Sequence, residues 1–350
     1  MLSYNKEKPL IVFVVPTGIG ASIGGFAGDA SQAARLFAKD FNVIVNPNVV
    51  NAACFSGITD NMLYTEGWTL TQFIKGNINL IPSRNNKIGI IFDKGISQGI
   101  MNVHLNTMNA VKTVYGIEVE AYEITDEPCE VKFFNTESGI SSGSVMNNQT
   151  LLKAGKKLIE KGVDVIAVVC KFDEPPEDNY KDGEGVDIVG GIEAVISHYL
   201  TRELQIPVVH APAFENITIT KDLVDAKAAA EYITPTFLPC LLIALKNAPL
   251  FSTQKVEQYI NIKDLKALIM PYNSLGSEII DEALKKGVKV IAIKENKSVL
   301  KITKDVLKKN DIIERETYEQ CYQYLKEIKW KRINVDSHLQ KFWFVWWYLA

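Results

Sequence analysis

The chain opens its patterned region with an unbroken apolar run, Leu10–Val15 (LIVFVV), the signature of a strand buried on both faces of a parallel sheet. A glycine-rich turn follows, then a helical pattern over Asp29–Lys39 and a short strand at Val43–Val45. The same unit recurs. Ile88–Phe92 precedes a helix over 97–114 and a strand at Glu118–Glu123. A helix over 148–161 precedes Val163–Val169, and one over 190–203 precedes Pro207–Val209. Leu265–Met270, a helix over 277–286 and Val288–Ile293 complete the series, and 300–329 reads as a charged helical close. Strands alternating with helices predict an α/β fold, Rossmann-like, with a mostly parallel sheet and helices on both faces. At 350 residues the expectation is two lobes around a cleft, 1–135 and 136–329, followed by an aromatic tail, 330–350.

Composition narrows the class. Hydrophobic residues make up 47% and charged residues 23%, which excludes disorder, and the net charge of −3 gives no electrostatic footprint for nucleic acid. Five scattered cysteines without a CxxC read as reduced thiols of a cytoplasmic protein. No apolar run approaches the ~18 residues of a membrane span, and the first residues do not read as a signal peptide. The acidic stretch Asp173–Asp187 is either a solvated loop or a lid. The aromatic tail, FWFVWWYL at 342–349, reads as a docking strap onto the body or a partner.

Candidate chemistry gathers at strand ends. Pro16–Asp29 (PTGIGASIGGFAGD) could turn backbone N–H groups toward an anion, with Thr17, Gly18, Gly20, Ser22, Gly24, Gly25 and Asp29 as contacts. The spacing does not fit the dinucleotide fingerprint, because Gly24 lies one residue too far. It lacks the lysine and hydroxyl of a phosphate-binding loop as well. No cofactor is therefore indicated. Asn48 and Asn51, just after the second strand, offer amide contacts, and Ser138, Ser141 and Ser142 offer a second anion nest ahead of a helix. Asp187 is a candidate helix cap or ligand contact, and Asn273 follows a strand whose ending echoes that of the first. Glu193 and His210 are acid/base candidates, and Cys240 is the less favoured nucleophile, its apolar neighbourhood suggesting a buried thiol. Glu193 and His198 are five apart, about 140° around a helix, which does not make a two-ligand metal motif. No metal site is expected.

These motifs, with Pro47–Asn51, Tyr64–Gly67, Asp93–Ile96, Gly183–Asp187, Glu193–His198, His210–Ala213 and Thr236–Cys240, resemble a bacterial, cyanobacterial and plastid family classed as a domain of unknown function. The resemblance runs from about Val12 to Asn296 and carries no mechanism. Asn46 stands where histidine is expected in relatives. The expectation is an enzyme of hydrolase or isomerase type acting on a small, polar, anionic metabolite. The rivals are a non-catalytic metabolite-binding regulator and a structural protein that binds partners through its tail. A homo-oligomer is compatible with either, and nucleic acid is not an expected partner.

Overall fold

The computed structural model describes residues 4–175, 179–217, 219–254, 258–328 and 330. The first half of the chain gives β1 (Leu10–Phe13), α1 (Ser31–Ala38), β2 (Asn42–Val45), β3 (Met62–Tyr64), α2 (Gly67–Lys75), β4 (Ile88–Phe92), α3 (Gln98–Tyr115), β5 (Val119–Ile124), β6 (Val131–Asn135) and β7 (Ser141–Val145). The second half gives α4 (Asn148–Glu160), β8 (Val165–Lys171), α5 (Gly190–Leu204), β9 (Val208–Ala213), α6 (Leu238–Leu245), β10 (Leu265–Pro271), α7 (Glu278–Lys285), β11 (Lys289–Ile293), β12 (Ile313–Arg315) and α8 (Tyr318–Glu327).

Two parallel sheets organise the molecule. One has six strands in the order β12-β11-β10-β1-β2-β3; the other has four, β9-β8-β4-β5. The expected α/β, Rossmann-like architecture is thus present as two sheets. The division at residue 135 does not follow them. The six-stranded sheet takes strands from 10–64 and again from 265–315, and the four-stranded sheet takes its strands from 88–213 between them. The cause is pairing: β1 takes β2 on one edge and β10 on the other, Phe13 lying opposite both Val45 and Ile269.

Alternation along the strands separates the cores. Ile11, Phe13 and Val15 join a central core that also receives Ile90, Phe92, Ala167, Val169, Val209 and Ala211 of the four-stranded sheet, with α1, α3, α6 and α8. Leu10, Val12 and Val14 face the opposite way, toward α2 and α7. On the far side of the four-stranded sheet, Ile166, Val168 and Cys170 pack under α4 and α5. Helices therefore cover both faces of each sheet, as continuous apolar strands require.

Three expectations change locally. The 138–144 segment is not a turn before a helix, because Ser141–Val145 pairs antiparallel with Val131–Asn135 as a hairpin. His210 does not follow its strand; it lies inside β9, paired with Val168. The 300–329 close holds β12 as well as α8. Trp330 packs against the central core, while the remaining tail, 331–350, lies outside the described residues.

Candidate functional site

A cavity of about 1090 Å³ opens where the C-terminal ends of β1, β2, β3 and β10 meet α5 and the end of β9. Strand order reverses here between the adjacent strands β1 and β10, the kind of switch point at which open parallel sheets bind ligands. Thr17, Asn48 and Glu66 reach it from three successive strand ends. Glu193, Ser197 and His198 come from α5, His210 from β9, and Glu231, Thr236 and Cys240 from the segment entering α6.

The centre of its chemistry is one pair. His210 Nδ1 lies 3.3 Å from Glu193 Oε1. The imidazole is stacked on Phe172, with ring centroids 5.0 Å apart and planes 17° from parallel. Glu193 is open only to the cavity, its side chain 23% exposed, and this enclosure pushes its carboxyl up to about 8. Burial acts in the opposite direction on His210, lowering it to about 3. Removal from water disfavours the charged form of each. At neutral pH both partners are therefore held toward their uncharged forms, and His210 Nε2 is buried with no hydrogen-bond partner among the described residues.

Around the pair the lining is unusually acidic. Glu66 accepts from the N–H groups of Trp68 (2.8 Å) and Thr69 (2.5 Å), capping α2, and burial raises it to about 7. Its Oε2 lies 3.7 Å from His198 Nε2, and burial keeps that imidazole below its ordinary range. Glu231 is also raised, by burial and by the neighbouring Asp187. It receives the Tyr180 hydroxyl at 2.8 Å and the Ala27 N–H at 2.7 Å, and the Tyr180 ring stacks on Phe26 at 4.4 Å. Parts of the Asp173–Asp187 stretch thereby form cavity wall, with Glu174, Lys181 and Asp182 also exposed to solvent.

Of the residues expected at a site, Thr17, Gly25, Asn48, Asn51, Asp187, Glu193, His210 and Cys240 line this cavity. Asn51 accepts the Tyr64 hydroxyl at 3.0 Å, and Asp187 accepts the N–H groups of Val189 and Gly190 at 3.0 and 3.1 Å as the chain enters α5. Cys240 is no ready nucleophile. Its thiol donates to Phe237 O at 3.2 Å, and burial pushes it up to about 12.

Thr17 and Gly25 bring part of the glycine turn to the cavity, and the rest of it is tied into the fold. Three of its N–H groups bond within the protein: Gly24 donates to Asp29 Oδ1 at 2.7 Å, Ile23 to Asn296 Oδ1 at 3.1 Å and Ser22 to Lys297 O at 2.7 Å. Ser22 Oγ donates to Glu295 O at 3.1 Å. Gly18 O receives the Ser141 N–H at 2.9 Å, and Ser141 Oγ in turn receives the Gly191 N–H at 2.9 Å. The turn thus braces β1 against the β6–β7 hairpin and α5. Gly18, Gly20, Ser22, Gly24, Asp29, Ser138, Ser141 and Ser142 stand outside the cavity lining. Ser138 pairs with Thr136 at 2.9 Å, and Ser142 lies opposite Phe134 in the hairpin. Asn273, also outside it, ties down Ser298, receiving its N–H at 2.8 Å. Asn46 exchanges two hydrogen bonds with the Val15 backbone at 3.1 and 2.8 Å, joining the ends of β1 and β2.

Glu66, His198 and Glu231 were not singled out by sequence. Glu66 lies within a quoted motif without a reading of its own, and His198 is weighed there only as a metal ligand with Glu193. Glu231 carries no local signal, since its role depends on the fold bringing Tyr180 and Ala27 to it. Away from the cavity, Asp93, Cys129 and Cys170 bring potential metal-ligand atoms together in a buried group.

Comparison with known proteins places this geometry in a family without assigning it a reaction. An uncharacterized lipoprotein of Synechococcus sp. is 35% identical over 296 residues, covering 83% of this chain and 82% of that protein. No solved structure matches. Residues 10–334 match the family described as protein of unknown function DUF3326, a longer span than the motifs suggested, and the chain belongs to that family.

Proposed function

We propose that the chain is an enzyme, of hydrolase or isomerase type, that carries out acid–base chemistry on a small polar metabolite held in the cavity. The observation that carries this reading is the Glu193–His210 pair, two buried titratable groups in contact whose affinities for protons are driven apart. A carboxyl group near 8 exchanges its proton within reach of neutral pH, which suits a general acid that must afterwards act as base. Glu193 would hand its proton to the bound ligand. The resulting carboxylate would then take a proton back from the ligand or from water, closing the cycle, with His210 orienting it from 3.3 Å.

The lining favours a neutral or cationic ligand over the anionic one the glycine and serine turns suggested. Glu66, Glu174, Asp182, Asp187, Glu193 and Glu231 line the cavity, and among the described residues Lys181 is the single lysine or arginine beside them. A polyol or an amine would find carboxyl acceptors here, and an anion would meet one lysine against six acidic side chains. The unpaired cysteines suit a reducing cytoplasm; the name of the Synechococcus relative concerns lipid attachment of that protein, and fractionation of cells making this chain distinguishes the two locations.

The test begins with native mass spectrometry of protein from its own cells, followed by release and identification of the bound molecule. With that molecule as substrate, Glu193→Gln and His210→Gln are expected to reduce turnover by about 10²–10⁴ while binding persists. Unchanged turnover in both variants overturns the assignment. A retained metabolite that neither wild type nor variant converts makes the chain a binding regulator instead.

A further inference from the structure

Outside the cavity, three side chains from distant parts of the chain converge beneath α4 and α5. Asp93 follows β4, Cys129 precedes β6, and Cys170 lies near the end of β8. All three are buried, and one carboxylate oxygen and the two sulfurs lie within 4.8 Å of one another. The carboxylate is held in place by three backbone donors: Gly95 N–H at 2.9 Å and Cys129 N–H at 3.0 Å to Oδ1, and Lys171 N–H at 3.1 Å to Oδ2.

We propose that Asp93, Cys129 and Cys170 form a metal site for a thiophilic divalent cation, zinc being the best fit, with the fourth position left to a non-protein ligand. In a tetrahedral site with sulfur at ~2.3 Å and carboxylate oxygen at ~2.1 Å, neighbouring ligand atoms stand roughly 3.6–3.8 Å apart. The three present here need to close by about an ångström at most. Two sulfurs and one oxygen select zinc over magnesium or calcium, which take oxygen alone. Charge supports the same occupant. Each thiol gives up its proton to solvent as its sulfur binds, so one divalent ion replaces two protons and the buried group keeps its net charge. The hydrogen bonds on Asp93 are the kind of outer support that fixes a ligating carboxylate. None of the three residues lines the cavity, so metal binding here is read separately from turnover there.

The test uses the full chain, reduced and stripped of metal by dialysis, titrated with Co²⁺ and then Zn²⁺. The expected result is one Co²⁺ per chain, a sulfur-to-cobalt charge-transfer band in the near ultraviolet, and its loss as Zn²⁺ displaces the cobalt. Cys129→Ser and Cys170→Ser are each expected to weaken Co²⁺ binding at least tenfold, while Cys54→Ser leaves it unchanged. Absence of the band in fully reduced wild type overturns the proposal, and that measurement depends on no variant folding. A band that survives in a folded Cys129→Ser/Cys170→Ser protein overturns it equally. So does a wild-type protein, isolated without reductant, that holds no metal and has two fewer free thiols, for these sulfurs would then be a disulfide.

Discussion

The carboxylate of Asp29 accepts the Gly24 N–H at 2.7 Å, so the anion held by the glycine-rich turn belongs to the chain itself. Burial nonetheless raises that carboxyl to about 6, the Gly24 and Phe26 N–H groups offsetting part of the cost. Gly24 has φ +90°, and a Cβ there would come within 2.9 Å of Val15. Gly24→Ala is therefore expected to destabilise the fold by about 1–3 kcal/mol. Because Gly24 is outside the cavity, ligand affinity of the folded fraction is expected to stay unchanged. Urea unfolding beside a binding titration checks both; a loss of affinity at full stability would return the ligand to the turn.

Stability is expected to fall as pH rises from 6.5 to 8. Glu66 and Glu193 are raised from 4.5 to about 7 and about 8, and Glu231 is raised too. In this window the unfolded carboxyls are already ionised, whereas the folded ones still hold protons. The folded state then binds more protons, and stability drops with rising pH. The slope is at most about 1.4 kcal/mol per pH unit for each such carboxyl. His210 and His198 are lowered from 6.5 and act on the other side: their contribution is complete above 6.5 and is lost as pH falls toward their folded values. Thermal midpoints across the window should decline in wild type and decline less in Glu193→Gln. Parallel curves would show that Glu193 ionises normally.

Cys240 is expected to resist alkylation. Its thiol is pushed up to about 12 by burial, whereas Cys54 is the one cysteine that is not fully buried. Iodoacetamide at pH 8, followed by peptide mass spectrometry, should label Cys54 first and Cys240 only after unfolding. Early labelling of Cys240 would restore it as a nucleophile.

Glu66 holds the first turn of α2 through the Trp68 and Thr69 N–H groups. Glu66→Ala is expected to cost about 0.5–2 kcal/mol, the usual loss for a helix cap. Glu66→Gln, which retains an acceptor oxygen, is expected to cost less. Chemical denaturation of the pair reads the difference; equal losses would mean that the charge, not the cap, was responsible.

The strands buried on both faces were legible because nothing else accounts for runs such as LIVFVV and IGIIF, and both form strands where expected. The echo between the ends of β1 and β10 also had a structural meaning, since these strands are parallel neighbours and Val14 and Met270 both line the cavity. The β6–β7 hairpin was not legible, because SSGSV carries no alternation and its residues are stabilised by a partner strand and by Gly18 and Gly191. His210 and Pro212 disguised the length of β9, being unusual inside a strand. Glu193 and His210 could be singled out by chemistry, whereas their contact depends on α5 packing over β9. Composition could not divide the glycine turn between its cavity-lining part, Thr17 and Gly25, and the part in which Gly24 binds Asp29, because both use the same residue types.

The division of the sheets along the chain sets an order of events during synthesis. The four-stranded sheet is complete in sequence by residue 213, so it can assemble while the rest is still being made. The six-stranded sheet cannot, because one edge of β1 waits for β10, more than half the chain later. Long-range pairing of this kind is slow and leaves an apolar strand edge open meanwhile. On a ribosome, the middle of the chain would fold first, and the ends would close the cavity last. Shortened chains ending before residue 265 would therefore expose β1 as a sticky edge and demand a chaperone that the finished protein does not need.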